Sequence, residues 1–258
     1  MAQPDRVAVI IGGAGQTGLA CARRFVSGNW SVLLVDRDQD RLERAVDEAG
    51  DDLVTHLDRL DARIGVKNAL AAGLEAFGRV DALVMVCDPP VAAPMMQIGA
   101  EAYDRAIASG GRMALLAVQT FARQFIEQIE EETAGADRTP RGYSITFVTG
   151  LEAETSDPDG FLSSVSQSAV LAIVRAASVE LARQRVRVNA IIALRPRAET
   201  LEARFLKDRT PTGRAALPDE IAEAALYLAS PGAASTVGTV LRLDGGRQRL
   251  NGVMPRDD

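Results

Sequence analysis

The stretch from Val7 to Gly18, VAVIIGGAGQTG, limits the fold more than any other part of the chain. Five consecutive apolar residues suit a strand buried on both faces. Gly13, Gly15 and Gly18 then follow the spacing G-x-G-x-x-G. That spacing lets backbone amides approach a pyrophosphate at the N-terminus of the next helix. A second apolar run, Ser31 to Val35, ends on Asp36. This is about the distance at which a Rossmann unit places the acid that binds the adenosine ribose. Glycines alone also suit a turn that binds nothing. Strand, loop, helix, strand and acid together favour a nucleotide site.

At 258 residues, with no linker to divide it, the chain reads as a single domain covering 1–258. A net charge of −6 argues against nucleic acid or an anionic membrane surface as main partner, since both select for basic patches. A small molecule or another protein remains. The first apolar run is too short for a signal-peptide core and has no basic leader, and no stretch is long enough to span a bilayer. A cytoplasmic location is therefore expected. Cys21 and Cys87 are far apart and form neither a redox pair nor a metal-ligand spacing, so no metal is expected.

Apolar runs alternate with amphipathic stretches along the whole chain. Strands are expected near Val7–Ile11, Ser31–Val35, Leu53–Leu57, Ala82–Val86, Ser144–Val148, Arg187–Ile192 and Val240–Leu243. Helical pattern between most of them implies an α/β, Rossmann-like, doubly wound parallel sheet of seven strands covered on both faces. The first helix starts near Gln16 and stops at Ser27-Gly28-Asn29, a left-handed cap. Asp38 can cap the second, which ends at Gly50. Two long helical segments span about Glu101–Glu132 and Phe161–Gln184, with Thr133–Gly142 as an exposed loop between helix and strand. Pro218 and Asp219 open a last helix that Pro231-Gly232 ends.

With these stretches in place the chain resembles the short-chain dehydrogenase/reductase family over nearly its whole length. The resemblance rests on the glycine loop at 12–18, Asp36, Asp58 in HLDRLD and FGRVDALV at Phe77–Val84. It rests further on RVRVNAI at Arg185–Ile191 and the closing segment from Gly213 to Gly246. It implies a seven-stranded sheet, a substrate lid near 193–216, and oligomers built through the two long helices and the C-terminal strand and helix. It also implies a dinucleotide cofactor held by Gly12, Gly13, Gly15, Gln16, Gly18, Asp36 and Asp58. An acid at position 36 repels the extra phosphate of NADP, so the cofactor implied is NAD.

Hydride transfer in that family needs a tyrosine to move the proton, a serine to steady the oxyanion, a lysine to lower the tyrosine pKa and an asparagine in the relay. Alignment by the flanking motifs puts Gly150 at the serine position, Ser163 at the tyrosine, Gln167 at the lysine and Gly110 at the asparagine. None of the four groups is present. A neutral amide cannot lower a neighbour's pKa by Coulomb attraction, and the loss of positioned acid–base catalysis forfeits about 10²–10⁴ in rate. Tyr103, Tyr143 and Tyr227 all have scaffold readings, and His56, the sole histidine, reads as a core or edge residue.

The nicotinamide end departs from the family as well. Ile11 and Gln16 replace a threonine and the middle glycine of the loop, and Met85-Val86-Cys87-Asp88 and Ala193-Leu194 replace the usual strand ends. If position 16 is left-handed, a glutamine there costs about 1–2 kcal/mol. Asp88, before Pro89 and Pro90, is the one weak candidate for a new acid or base, although an ordinary turn before two prolines is the favoured reading. Glu152, Glu154, Asp157 and Asp159 read as a solvated rim, Arg195 and Arg197 as loop residues able to grip an anion, and Ser163, Ser164 and Ser166 as caps or small packing residues. Three readings follow. The first is a non-catalytic subunit that supports an active NAD-dependent relative in a hetero-oligomer. The second is a divergent oxidoreductase or a non-redox isomerase, cyclase or lyase with relocated groups. The third is an NAD-responsive binding protein, as a homo-oligomer or otherwise.

Overall fold

A computed structural model of the chain describes residues 6–49, 53–58, 62–90, 92–134, 142–194, 206 and 208–254. Its strands are β1 (Val7–Ile11), β2 (Ser31–Asp36), β3 (Leu53–Leu57), β4 (Ala82–Val86), β5 (Tyr143–Gly150), β6 (Val186–Ala193) and β7 (Val240–Leu243). They form one sheet in the order β3-β2-β1-β4-β5-β6-β7, with every neighbouring pair parallel. The order reverses direction between β1 and β4, where doubly wound folds bind their ligands. β5 and β6 outrun the apolar runs that announce them. Their pairing continues from Tyr143 opposite Val186 to Gly150 opposite Ala193, so polar Thr149 and bare Gly150 join the ladder through a neighbour.

The helices are α1 (Gln16–Ser27), α2 (Gln39–Ala49), α3 (Arg63–Phe77), α4 (Ala100–Ile107), α5 (Met113–Ala134), α6 (Phe161–Leu181) and α7 (Pro218–Ala229). Alternate strand residues face opposite layers. Val7, Val9 and Ile11 pack with Val66, Ala117, Phe121 and Val170 from α3, α5 and α6. Ala8 and Ile10 pack with Ala22, Phe25, Leu42 and Leu228 from α1, α2 and α7. Fully burying one such side chain stabilises the fold by about 1.5–3 kcal/mol.

Three local features differ from or sharpen the sequence reading. The left-handed residue after α1 is Asn29, at φ 63°, while Gly28 has φ −89°. The segment near Glu101–Glu132 is not one regular helix: a π-helical turn at Ala108–Arg112 separates α4 from α5. Across the layer α6 lies close against this turn. A Cβ on Gly110 would stand 2.6 Å from the Ser166 carbonyl oxygen, and one on Gly111 would stand 2.8 Å from Ala169 Cβ, so α6 approaches closer than any side chain allows. Thr133 and Ala134 extend α5 rather than starting a loop, and 135–141 lie outside the described residues. Asp38 accepts from Arg41 N at 3.1 Å, a cap for α2. Gly50 lies outside the described residues.

Polar ties secure the ends of the layers. Asp81, before β4, accepts from Val7 N at 2.8 Å and from Arg79, which also reaches Glu132. Tyr143 Oη donates to Glu132 at 3.1 Å, and Gln128 brackets Val80 from both sides. Arg79, Gln128, Glu132 and Tyr143 line a cleft of about 260 Å³ at the N-terminal edge of the sheet, opposite the ligand edge. On β6, Arg187 donates to the Leu228 and Ser230 carbonyls at the end of α7, and Asn189 joins Thr236 to Thr239. Among the described residues α6 with its last turn is the one helix long and apolar enough to cross a membrane, and it lies against β6 and α5.

Candidate functional site

The glycine loop turns at the C-terminal edge of β1. Gly12 has φ 74°, and a Cβ there would lie 2.5 Å from Val86 O, so the loop rests directly on the end of β4. A side chain on Gly13 would overlap Leu34, and one on Gly18 would overlap the Gly13 backbone. These two glycines let α1 and β2 close on the loop. Gly15 is different: it precedes α1 in extended conformation, its Cβ position opens onto free space, and no side chain caps the helix start. Exposed Gln16 is the first residue of α1, and the left-handed non-glycine residues among those described are Asn29, Asp159 and Arg185. The backbone cost expected at position 16 therefore does not arise.

Asp36 closes this end. Its Oδ2 accepts from Ala14 N at 2.8 Å and its Oδ1 from Arg37 N at 2.7 Å, which ties β2 to the loop. Asp58 N donates to Asp36 O at 2.9 Å, and Asp58 Oδ2 accepts from Asn68 Nδ2 at 3.1 Å. Loop, helix start and both acids thus share one edge. Two carboxylates and an uncapped helix N-terminus suit ribose hydroxyls, a base and a pyrophosphate, so these residues fit the adenosine half of a dinucleotide. His56 Nε2 is 4.0 Å from Asp58 Oδ2, too far for a hydrogen bond.

The other half of the edge gathers Gly110, Gly150, Ser163 and Gln167, and the space around each is filled by the chain itself. Gln167 is 1% exposed and its Oε1 accepts from Gly150 N at 2.5 Å. Because a backbone N–H can only donate, this bond assigns the amide, and Gln167 Nε2 is left buried without a partner. Glu152 is not a solvated rim residue as expected. The 3-10 turn Leu151–Ala153 folds it back so that Oε2 overlaps the place of a Gly150 Cβ, the point from which a serine side chain would leave. Ser163 Oγ donates to Pro90 O at 3.3 Å, and Ser166 Oγ presses on Gly110. The serines do not cap α6, whose N-cap is Gly160; Ser164 and Ser168 instead hold Thr155 O and Ala153 O.

Asp88 follows the end of β4 as an exposed residue, just past Cys87, whose N–H donates to Val148 O. Glu154 pairs with Arg242 of β7, which holds its carboxyl below the ordinary value. Cys21 is buried in the core, and burial pushes its thiol up to about 12. Among the described residues no three or more His, Cys, Asp or Glu side chains come together as a metal site. Arg195, Arg197 and most of the lid region lie outside the described residues. The described remainder of the lid is anchored by Ala216 N to Leu194 O and Thr212 N to Gly245 O. The sequence reading named Glu152 and Ser166 but gave neither a place in the site; no spacing signals a contact that depends on a 3-10 turn or on two helices crossing.

Comparison with known proteins places this edge in context. A family model described as enoyl-(acyl carrier protein) reductase matches residues 13–248. The galactitol 2-dehydrogenase (L-tagatose-forming) of Cereibacter sphaeroides is 30% identical over 251 residues, with 93% of each chain covered. The (2S)-[(R)-hydroxy(phenyl)methyl]succinyl-CoA dehydrogenase subunit BbsD of Thauera aromatica is 26% identical, covering 96% of this chain and 98% of its own. The crystal structure of a 3-ketoacyl-(acyl-carrier-protein) reductase from Brucella melitensis, complexed with NADH, superposes with a TM-score of 0.85 at 28% identity. It covers 94% of this chain and 98% of that one.

Proposed function

Since the chain belongs to the short-chain dehydrogenase/reductase family of oxidoreductases, we propose that it acts as a non-catalytic subunit supporting an active, NAD-dependent relative in a hetero-oligomer. One observation carries this reading. The four positions that would move a proton and hold an oxyanion are occupied by groups already engaged with one another: Gln167 with Gly150, Glu152 in the serine space, Ser163 with Pro90, Gly110 against Ser166. A carbonyl brought to this edge meets neither a phenol nor an ammonium group. The scaffold around it is that of the family, and a relative matched over nearly the whole of both chains is itself named a dehydrogenase subunit.

The adenosine half of the edge keeps its acids and glycines, so NAD rather than NADP is the nucleotide this subunit retains, with Asp36 opposing a 2′-phosphate. When bound, NAD in this family supplies or accepts a hydride; here the chain's residues only grip and orient it. Native mass spectrometry of the untagged protein from its own cells tests the reading. A mixed complex with a relative carrying serine, tyrosine and lysine is the expected result. A pure homo-oligomer that reduces carbonyl compounds with NADH overturns it.

A second reading, a divergent oxidoreductase or a non-redox catalyst working through Asp88, draws support from full-length relatives that are named as dehydrogenases. It requires turnover by the isolated chain and its loss in Asp88→Asn.

A further inference from the structure

We propose that His56 is a positioning residue for the adenine end of the nucleotide site: its protonation draws Asp58 away from the base, so nucleotide binding weakens on acidification. The inference rests on the reading that this edge retains an adenine nucleotide whose base meets Asp58, and it adds a pH dependence to that site. His56 is the sole histidine of the chain. It lies on β3 opposite Val35, and the next residue, Leu57, lies opposite Asp36, so the imidazole stands beside the acid end of the edge. The ring is half-buried, and its Nε2 is 4.0 Å from Asp58 Oδ2. Nε2 itself is shut off from solvent and has no hydrogen-bond partner. A buried polar atom left this way costs about 1–3 kcal/mol.

Protonation gives that nitrogen a partner. An imidazolium donates from both ring nitrogens, and about 1 Å of movement brings Nε2–H within hydrogen-bond reach of Asp58 Oδ2. Asp58 is already held on this side, since the same Oδ2 accepts from Asn68 Nδ2 at 3.1 Å. A second, charged donor on one oxygen turns the carboxylate further toward β3 and α3, and a cation beside it opposes the amino hydrogens of an adenine ring. The charged groups on the elements packed against β3 are engaged or turned elsewhere. Asp36 of β2 accepts from Ala14 N and Arg37 N, Arg63 of α3 donates to Gln119, and Lys67 and Glu75 of α3 are exposed. α2, with Asp40, Arg41, Glu43 and Arg44, covers the opposite face, where Leu42 packs with Leu53. An imidazole changes charge between pH 5 and 8. By linkage, the nucleotide favours the neutral ring, which leaves Asp58 to the base, and binding releases a proton. Affinity is therefore full at the upper end of this range and falls as the pH drops through it.

Isothermal titration of the purified full-length chain, free of any histidine tag, with ADP-ribose at about pH 5.8 and 7.8 tests this. The pyrophosphate of ADP-ribose keeps its charge across that range. Affinity should be about fivefold lower at the acid end. His56→Gln should bind equally at both pH values, and Asp58→Asn should bind less tightly at both and lose the pH dependence, because the acceptor is gone. With one histidine, the imidazole carbon-bound protons give a single set of NMR signals, and at about pH 6.5 ADP-ribose should move them toward the neutral form. Affinity that is the same at both pH values, that rises on acidification or that falls equally in His56→Gln overturns the inference while leaving the nucleotide site standing, as do ring signals indifferent to ADP-ribose. If ADP-ribose does not bind at the upper pH, the retained-nucleotide reading fails and this inference falls with it.

Discussion

Gly110 and Gly150 both carry no side chain, yet the space at each is closed in a different way. At Gly110 the obstacle includes the backbone carbonyl of Ser166, 2.6 Å from a Cβ, and moving it means shifting α6. At Gly150 the obstacle is the end of a flexible side chain, Glu152. Gly110→Asn should therefore destabilise the fold by about 2–3 kcal/mol, the cost of overpacking, which lowers Tm by roughly 5–10 °C in a chain of this size. Gly150→Ser should cost less than about 1 kcal/mol, because Glu152 can swing outward. Differential scanning calorimetry of the two variants checks the contrast; equal losses would mean that Glu152 is as fixed as the α6 backbone. The expectation of missing groups comes from aligning the flanking motifs, which sets glycine, serine and glutamine at Gly110, Gly150, Ser163 and Gln167. What fills the space there is not legible in the sequence, because Gly110 and Ser166 meet only through helix packing and Glu152 reaches Gly150 only through a 3-10 turn.

At the scale of elements, two polar devices hold helices and strands at their ends. Glu220, in the first turn of α7, accepts from Arg214 and from Leu217 N, and these bonds depress its carboxyl pKa to about 2. A folded-state pKa below the ordinary value means the contribution is complete above about pH 4.5 and disappears as pH falls toward 2. The Tm gap between the native chain and Glu220→Gln should be widest near pH 7 and close on acidification; a gap that is constant with pH would remove the pair from the account. At the opposite edge, Asp81 is 2% exposed and accepts from both Val7 N and Arg79. Asp81→Ala leaves the buried Val7 N–H without its partner and Arg79 with Glu132 alone, a loss of about 2–3 kcal/mol seen as a urea midpoint shifted down with unchanged m-value. The strands these devices secure were legible from their apolar runs. The extra residues of β5 and β6 were not, since Thr149 and Gly150 are strand only because β6 offers Ile192 and Ala193 to pair with.

For the whole molecule, the question is what the outer faces of the two long helices are for. α6 presses one side against β6 and the π-helical turn, while Ala172, Ala176 and Val179 stand exposed on its other side, Val179 at 76%. Leu115, on the adjacent α5, is 44% exposed. Long apolar helices with uncovered faces lose stability in water and gain it against another subunit, which agrees with the proposed assembly through these helices. The double substitution Leu115→Glu and Val179→Glu places two charges on that face and touches no buried residue. Light scattering coupled to size exclusion should then report the mass of one chain, 27.4 kDa, where the native protein gives the larger mass of its assembly. Far-UV circular dichroism should be unchanged, because both side chains are exposed. If the mass stays that of the native assembly, the subunit contact runs through another surface, and β7 with α7, where Tyr227 is 47% exposed, becomes the face to change next.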